Sequence, residues 1–470
     1  MQSPRGNQPD MSSPPPSVGD NRLSGAFWAL WSASALGDLA TGSVLVAVPL
    51  LAAALTRDPV LIGGLTAATL LPWLLFGIPA GVLVDRMDRR TAMVAGNLIR
   101  AAALAALGAL IVAGHADLRS LFAVAFLLGT AETVYDCAAR AALISVAPVG
   151  QIDRANGLLI TTHMVASDFL GGPLAGTLFA VTAALPFGLY AAAFALAAGI
   201  VLALPRLRAN ADGGPDHGGP HQGTAGSISD GGTRVTRGAV AAPNPIGPRV
   251  PDRHRLRREW LEGLHLIWAD GELRGLCLLS ATLAVGGELA QSVTVLFALQ
   301  VLHLPGQWFG LFTAAAGVGV LLGGSIANRL VRRFGRAHVL TGALAGYGAS
   351  LAATGLATSA WQAAAMYALG SATVAAWNVL SMSARQVLVP GESFGRFHGA
   401  WRTIVWGSAP IGAVASGLVA AQFGLRAPWL VGGTLILLQL VFAPSLMRRI
   451  EARVDHPPLV LPRRDGPPLR

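Results

Sequence analysis

Five acidic side chains lie inside stretches of the sequence that are otherwise apolar, and they are spread over both halves of the chain. They are Asp38, Glu132, Asp136, Asp168 and Glu288. A carboxyl group among apolar side chains can take up and release a proton near neutral pH, because burial disfavours its charged form. Ionisable residues in such surroundings are costly to keep and usually serve function. We therefore treat these five residues as candidate groups for proton coupling.

Asp38 and Glu288 stand out because they occupy equivalent places in two repeated halves of the sequence. Residues 37–40 read Gly-Asp-Leu-Ala, and residues 287–290 read Gly-Glu-Leu-Ala. A carboxyl group at the same place in both halves favours a coupling role for at least one of the two acids. The alternative is an acid that is held by a neighbouring helix, such as Asp38 bonded to Arg100.

A second group of charges follows the spacing of a helix. Glu132, Asp136 and Arg140 are four residues apart, so they lie on one face of a helix, where opposite charges can pair. This pattern predicts either an ion pair within the helix or an acid bound to a gating network, and the sequence leaves both open. Arg100 and Arg140 are the candidate cations inside the apolar stretches.

The elements that carry these residues are membrane-spanning helices. The 470 residues are 53% hydrophobic and only 12% charged, and a helix crosses a bilayer with ~20 apolar residues. The apolar runs predict an all-α integral membrane protein with twelve transmembrane helices. The predicted spans are residues 24–55, 60–83, 91–114, 118–147, 155–180 and 184–206, followed by 272–302, 307–329, 337–358, 361–389, 396–422 and 427–447.

Arginines in the short connections predict the orientation of these spans. One side of the membrane holds most of them, and the other side has only Arg57, Arg119 and Arg426. Because cytoplasmic loops carry the excess of basic residues, both termini are expected in the cytoplasm and the protein in the inner (cytoplasmic) membrane of the cell. The arginines on the rich side are Arg86, Arg89, Arg90, Arg154, Arg329, Arg332, Arg333, Arg336 and Arg396.

Composition divides the chain into two helical bundles with polar segments around them. The segment between the bundles is rich in Gly, Pro, Asp, His and Arg, which is typical of a flexible linker. Residues 253–268 look amphipathic and are expected at the membrane interface. The predicted domains are a disordered cytoplasmic tail (1–22), a six-helix bundle (23–206), a cytoplasmic linker (207–258), a second six-helix bundle (259–449) and a cytoplasmic C-terminal tail (450–470).

Two short motifs carry a resemblance to a known family. Gly81, Asp85, Arg86, Arg89 and Arg90 follow the second span and resemble the signature of the loop between the second and third helices of major facilitator superfamily transporters. The match departs from that pattern at residue 88, where the family usually has glycine and this chain has aspartate. The fold implied by the resemblance has twelve helices in two pseudo-symmetric six-helix halves.

Within that family, the fifth span resembles the antiporter signature of drug/proton exporters, through Gly172, Pro173 and Gly176. Glycine and proline there also favour close helix contact and a kink, so packing is the alternative role for this segment and for nearby Asp168. Residues 135–143 and 154–157 are similar to the enterobactin exporters and transmembrane secretion effectors. The resemblance also implies that Asp85 latches onto the start of the eleventh span, near residues 396–402.

These observations predict a secondary active transporter that exports a bulky organic compound, such as a drug, an antibiotic or a siderophore-like metabolite, by proton antiport and alternating access. Uptake of a nutrient by symport and a non-transporting sensor or assembly protein are the alternatives. Aromatic and amide side chains suit the binding of bulky organic molecules, although packing against lipid or other helices explains them equally well. The candidates are Trp73, Tyr135, Trp377 and Asn378, with Trp401 and Trp406.

The sequence has no pattern typical of an enzyme, a metal site or a bound cofactor. In particular, it has no glycine-rich phosphate loop ending in Lys-Ser/Thr, which argues against an ATP-driven pump. The net charge of +10 comes from arginines in termini, linker and loops, so it reports topology and does not indicate nucleic-acid binding. The expected partners are a small-molecule substrate, protons and the lipid bilayer, and the protein is expected to be a monomer.

Overall fold

The computed structural model describes residues 23–204 and 253–455, and in these two ranges the chain is helical, with no strand. The predicted N-terminal tail, most of the linker and the end of the C-terminal tail lie outside the described residues. The first range holds α1 (Gly25–Leu55), α2 (Pro59–Arg86), α3 (Arg89–Val112), α4 (Leu118–Val146), a 3-10 turn (Val149–Gln151), α5 (Ile152–His163), a π-helix (Met164–Gly171), α6 (Gly172–Val181) and α7 (Leu185–Leu202).

The second range repeats this plan, with an extra helix at each end. It begins with α8, which covers the segment predicted to be amphipathic. The helices are α8 (Arg253–Ala269), α9 (Gly271–Gln291), α10 (Thr294–Leu296) with a π-helix (Phe297–Val301), α11 (Gly306–Phe334), α12 (Arg336–Leu356), α13 (Ala360–Leu388), α14 (Gly391–Phe423), α15 (Ala427–Leu438) with a 3-10 turn (Gln439–Val441), and α16 (Ala443–Asp455).

The twelve-span architecture predicted from the sequence is confirmed, with one difference at the end of the chain. Eleven helices of the described residues are long and apolar enough to cross a membrane, and the twelfth span bends by 59° between Val441 and Ala443. After the bend, α16 continues through residue 450, where the sequence predicted the start of the C-terminal tail. Its polar face explains the turn, because such a helix is stable along a membrane surface and not across the bilayer.

The connections between spans lie at two faces of the bundle. We call one the arginine face; it holds the short connections after α2, α4, α11 and α13, where the arginines cluster. The opposite face holds the connections after α1, α3, α6 and α12.

The surface helix α16 is fastened to the rest of the second half by ion pairs at the arginine face. Asp270 caps α9 by accepting hydrogen bonds from the backbone N–H of Glu272 (2.9 Å) and Leu273 (3.1 Å), and Arg453 of α16 bonds both Asp270 and Glu272. Partial burial opposes ionisation of Asp270, but the bonds from Arg453 and the helix N-terminus outweigh it and lower its pKa. At the C-terminal end of α16, Asp455 pairs with Arg336 at the start of α12, at 3.0 Å.

The two halves meet through glycine contacts on the side of the opposite face. A Cβ on Gly63 of α2 would lie 2.6 Å from the carbonyl oxygen of Ala413 in α14, and one on Gly172 of α6 would lie 2.7 Å from that of Gly310 in α11. Only glycine permits backbones to approach this closely. The glycines predicted as an antiporter motif therefore form one of the two seams between the halves.

Candidate functional site: a cavity between the halves

A cavity of about 660 Å³ lies between the two halves, from mid-span toward the opposite face. Its size falls within the ~300–1,000 Å³ that is usual for small-molecule sites. Both halves contribute charged side chains to its wall: Arg100, Glu132 and Asp168 from the first half and Glu288 from the second. Three of the five acids predicted as coupling groups thus face one common space.

Glu288 reaches this cavity from the last turn of α9, where the helix is interrupted before α10. The Oγ of Ser292 donates to the backbone carbonyl of Glu288 (2.7 Å) and lies 3.4 Å from its Oε2. Next to it, the hydroxyl of Tyr367 donates to the Oε1 of Gln291 at 2.8 Å. Within residues 23–204 and 253–455, no cation forms an ion pair with Glu288.

Asp38, the equivalent acid in the first half, has a partner that the sequence did not indicate. Its Oδ1 lies 2.9 Å from the Nδ1 of His163, at the junction of α5 and the π-helix. A second bond between the same two spans runs from the Nε1 of Trp31 to the Oγ1 of Thr162, at 2.8 Å. His163 has no neighbouring motif in the sequence, and only the packing of the fifth span against the first brings it to Asp38.

Arg100 does not pair with Asp38, which was the alternative that the sequence offered. Its side chain is buried, with 3% exposed, and its Nη2 donates to the Oδ1 of Asn97 at 2.6 Å. The guanidinium carbon lies 4.5 Å from the ring centre of Tyr135 and 4.4 Å from that of Phe194. Two aromatic faces therefore hold this cation, which is favourable when the cation is desolvated.

Asp168 lies in the π-helix, which widens the fifth span between α5 and α6. This segment packs against α1, where the Oγ of Ser43 donates to the carbonyl of Gly171 at 2.9 Å. Pro173 stands in the first turn of α6, directly after Gly172, and needs no backbone donor there. The π-helix places Asp168 on the cavity wall directly before the seam that Gly172 and Gly176 form with α11.

Asp136 makes both of the contacts that the sequence left open. It accepts hydrogen bonds from the Nε of Arg140 on its own helix (3.0 Å) and from the Nη2 of Arg402 on α14 (3.4 Å). Arg402 also lies over the ring of Trp73, 4.8 Å from its centre. Asp136 thus takes part in an intrahelical ion pair and in a contact between the halves, away from the glycine seams.

The contact between Asp136 and Arg402 leads to a first prediction. Arg402→Gln is expected to lower the population of the conformation in which this contact joins the halves, relative to the one in which they are apart here. The shift should be up to about fivefold, because a partly exposed ion pair contributes about 0.2–1 kcal/mol. Arg140→Gln removes the same charge from Asp136 within one helix and should leave the balance unchanged. Distances between labels on the two halves, measured by double electron–electron resonance, test this; equal shifts in both variants would contradict it.

The predicted aromatic wall is only partly correct. Trp406 lines the cavity, but Trp73, Tyr135, Trp377 and Asn378 are not among its lining residues. Trp377 is packed in the protein with 1% exposed, and the cavity residues of α13 end three positions before it, at Val374. The aromatic rings that do line the cavity are Phe194, Phe309, Tyr347, Tyr367 and Trp406.

The loop motif after the second span is only partly described. Arg89 donates to the carbonyl of Ala141 at 2.9 Å, and Arg90 donates to that of Leu202, so these arginines tie α3 to α4 and α7. Gly81, Asp85 and Arg86 belong to α2, but their surroundings lie outside the described part of the structure. The predicted latch from Asp85 to the eleventh span therefore stays a prediction.

Comparison with known families gives two matches along the sequence. The model of the Major Facilitator Superfamily matches residues 30–329, and the model described as "Transmembrane secretion effector" matches residues 261–460. Two proteins described as uncharacterized MFS-type transporters, from Mycobacterium bovis and Mycobacterium tuberculosis, are 34% identical over 148 residues. That region is 31% of this chain and 33% of each mycobacterial protein, so the chain spans about a third of their length.

Solved structures of similar fold cover nearly the whole chain. A mutant of the nucleoside transporter NupG has a TM-score of 0.66 at 13% identity and covers 90% of this chain and 99% of its own. A bacterial homologue of the lysosomal transporter Spinster, inward-facing and unoccupied, has a TM-score of 0.62 at 15% identity, with 91% and 98% covered. A bacterial homologue of the iron transporter ferroportin, also inward-facing, has a TM-score of 0.62 at 14% identity, with 91% and 99% covered.

Proposed function

Because the chain belongs to the Major Facilitator Superfamily, we propose that it is a secondary active transporter that exports a bulky organic compound by proton antiport. The observation that carries the proposal is the cavity between the halves, with Glu288 on its wall and no cation among the described residues paired with it. A carboxylate at such a place can bind either a proton or a cationic substrate, and competition between the two couples their movements.

The charges on the cavity wall favour one class of substrate. Among the described residues of the wall, Glu132, Asp168 and Glu288 contribute three carboxyl groups and Arg100 contributes one guanidinium. Arg100 is held between aromatic rings and bonded to Asn97, so the acids outweigh it at the cavity surface. Aromatic rings on the same wall stabilise cations further. We therefore expect an amphiphilic organic cation, such as a cationic drug or antibiotic, in preference to an anionic siderophore.

The contacts between the halves support a direction of transport from the cytoplasm to the outside. The glycine seams close the halves against each other toward the opposite face, whereas a side-chain ion pair, from Asp136 to Arg402, joins them nearer the arginine face. With the arginine face in the cytoplasm, as the arginine bias favours, breaking this one ion pair would admit a substrate to the cavity from the cytoplasm. Protonation from outside would then release it from the outward-facing state.

Uptake by symport is the second candidate, because a nucleoside transporter is among the structural neighbours. The two mechanisms predict opposite responses to the same pH gradient. An acidic lumen should drive an antiported compound into the vesicle and a symported compound out of it.

The test is transport into proteoliposomes that contain the purified protein and an imposed pH gradient. Ethidium serves as the cationic probe and carboxyfluorescein as the anionic one. We expect ethidium to accumulate in an acidic lumen and to leave again when the gradient is collapsed. Accumulation in an alkaline lumen would establish symport, and absence of gradient-dependent flux over a broad panel of compounds would refute the antiport proposal.

A further inference from the structure

A second cavity, of about 710 Å³, lies within the second half of the molecule, away from the cavity between the halves. Its walls are α11 and α12, and its floor is α13. The floor is lined by small residues because the helices pack closely there: a Cβ on Gly346 of α12 would lie 2.7 Å from the Cγ2 of Thr373. The result is a groove between two helices that both rest on a third.

This groove faces away from the cavity between the halves. On α13, Ser371 and Val374 line the central cavity, whereas Thr373 and Ala376, two residues further on, line the groove. A step of two residues turns a helix by about 200°, so the two spaces lie on opposite sides of α13. The groove therefore opens on the outer surface of the bundle, where lipid surrounds a membrane protein.

The side chains along the groove change character from one end to the other. Inside the membrane it is apolar, with Ile326 on a wall and Leu369 on the floor, and these side chains are 41% and 51% exposed. At the arginine face its mouth is formed by Arg333 in the last turn of α11 and His338 in the first turn of α12. Phe334, 53% exposed, stands beside them.

We propose that this groove is a binding site for an anionic phospholipid, which lays one acyl chain between α11 and α12 and its phosphate against Arg333 and His338. From Arg333 to Gly323 the groove follows ten residues of α11, or about 15 Å at ~1.5 Å per residue. That length is about half of the ~30 Å hydrocarbon core, the depth of one leaflet. The positive mouth thus lies at headgroup depth and the apolar part at acyl-chain depth.

Charges around the mouth support the anionic headgroup. Arg333 forms no ion pair within the described residues; its guanidinium lies 5.5 Å from the ring centre of Phe334. Of the two nearby acids, Asp455 pairs with Arg336, and the carboxylate of Glu451 lies beside Gly335, outside the residues that line the groove. Basic pockets between helices at this depth select anionic headgroups.

The test is lipid binding to the full chain, purified in detergent, delipidated and measured by native mass spectrometry. The probes are phosphatidylglycerol and phosphatidylcholine with identical acyl chains. The wild-type protein should retain phosphatidylglycerol preferentially, and Arg333→Ala should weaken its binding about fivefold, the effect of one basic residue near a lipid surface. Arg332→Ala is the matched control, because it removes the same charge one position away from the groove and should change binding little.

A second variant tests the acyl-chain part without changing charge. Gly342 lines the groove, and a Cβ there would meet nothing within 4 Å, so Gly342→Leu fills the groove without disturbing the packing. It should abolish selective retention, whereas Gly324→Leu, equally unobstructed but outside the groove, should not. Equal losses in Arg333→Ala and Arg332→Ala, unchanged binding in Gly342→Leu, or competition by soluble glycerol phosphate would each overturn the proposal.

Discussion

Replacement of Glu288 by glutamine is expected to abolish accumulation driven by a pH gradient while downhill movement of the substrate continues. Glutamine keeps the shape of the side chain and its contact with Ser292, but it cannot exchange a proton. A gradient of one pH unit supplies about 1.4 kcal/mol per coupled proton, which sustains about a tenfold concentration ratio. In Glu288→Gln the ethidium ratio across the vesicle membrane should fall from about that value to about one.

The comparison needs Asp38→Asn and a control on the same helix. Asp38 is the equivalent acid and is bonded to His163, so Asp38→Asn should also lose gradient-driven accumulation. Glu272→Gln changes a carboxylate at the start of α9, outside the cavity and paired with Arg453, and should accumulate ethidium like the wild type. Expression and purification yields show whether each variant folds. Normal accumulation in both Glu288→Gln and Asp38→Asn would eliminate these acids as coupling groups.

The second large effect is expected at the seam between α6 and α11. A Cβ on Gly310 would overlap the carbonyl group of Gly172, so Gly310→Val cannot form this seam. Overpacking of this kind costs about 1–3 kcal/mol, which lowers the population of the closed seam by roughly one to two orders of magnitude. Since every transport cycle must close this side, Gly310→Val should lose most of its transport in either direction.

The same helix offers a matched control for this variant. A Cβ on Gly324 meets nothing within 4 Å, so Gly324→Val adds the same side chain to α11 without a clash against another helix. Labels near the opposite face, for example at residues 57 and 426, should move apart in Gly310→Val and stay at wild-type distance in Gly324→Val. Wild-type transport by Gly310→Val would contradict the expectation that this seam must close in every transport cycle.

The architecture was predictable because its signals are local in the sequence. Each span needs only a run of apolar residues of bilayer length, and the repeat of Gly37–Ala40 at Gly287–Ala290 identifies equivalent spans without any tertiary information. The pair formed by Asp136 and Arg140 followed in the same way from helical spacing, and the structure has it at 3.0 Å. The bend after Val441 was missed because the apolar run reads through it.

The partners of the charged residues were less predictable, because they come from other spans. His163 is 125 positions away from Asp38, and Arg402 is 266 positions away from Asp136. No periodicity within one helix specifies which helix will lie beside it, and these pairs depend on rotations of whole spans. Trp377 shows a related limit, since the cavity residues of α13 end at Val374, and the depth to which a cavity extends along a helix depends on the helices around it.

The π-helix of the fifth span has a consequence for aligning this chain with its relatives. A π-helical turn closes its hydrogen bond one residue later than an α-helical turn, so it acts as an insertion that the surrounding helix absorbs. The register of Gly172 and Gly176 is therefore offset from that of His163 by the residues accommodated between Met164 and Gly171. A homologue with an uninterrupted α-helix here should align only with a gap in this segment, and a gap-free alignment would match cavity residues of one protein with lipid-facing residues of the other.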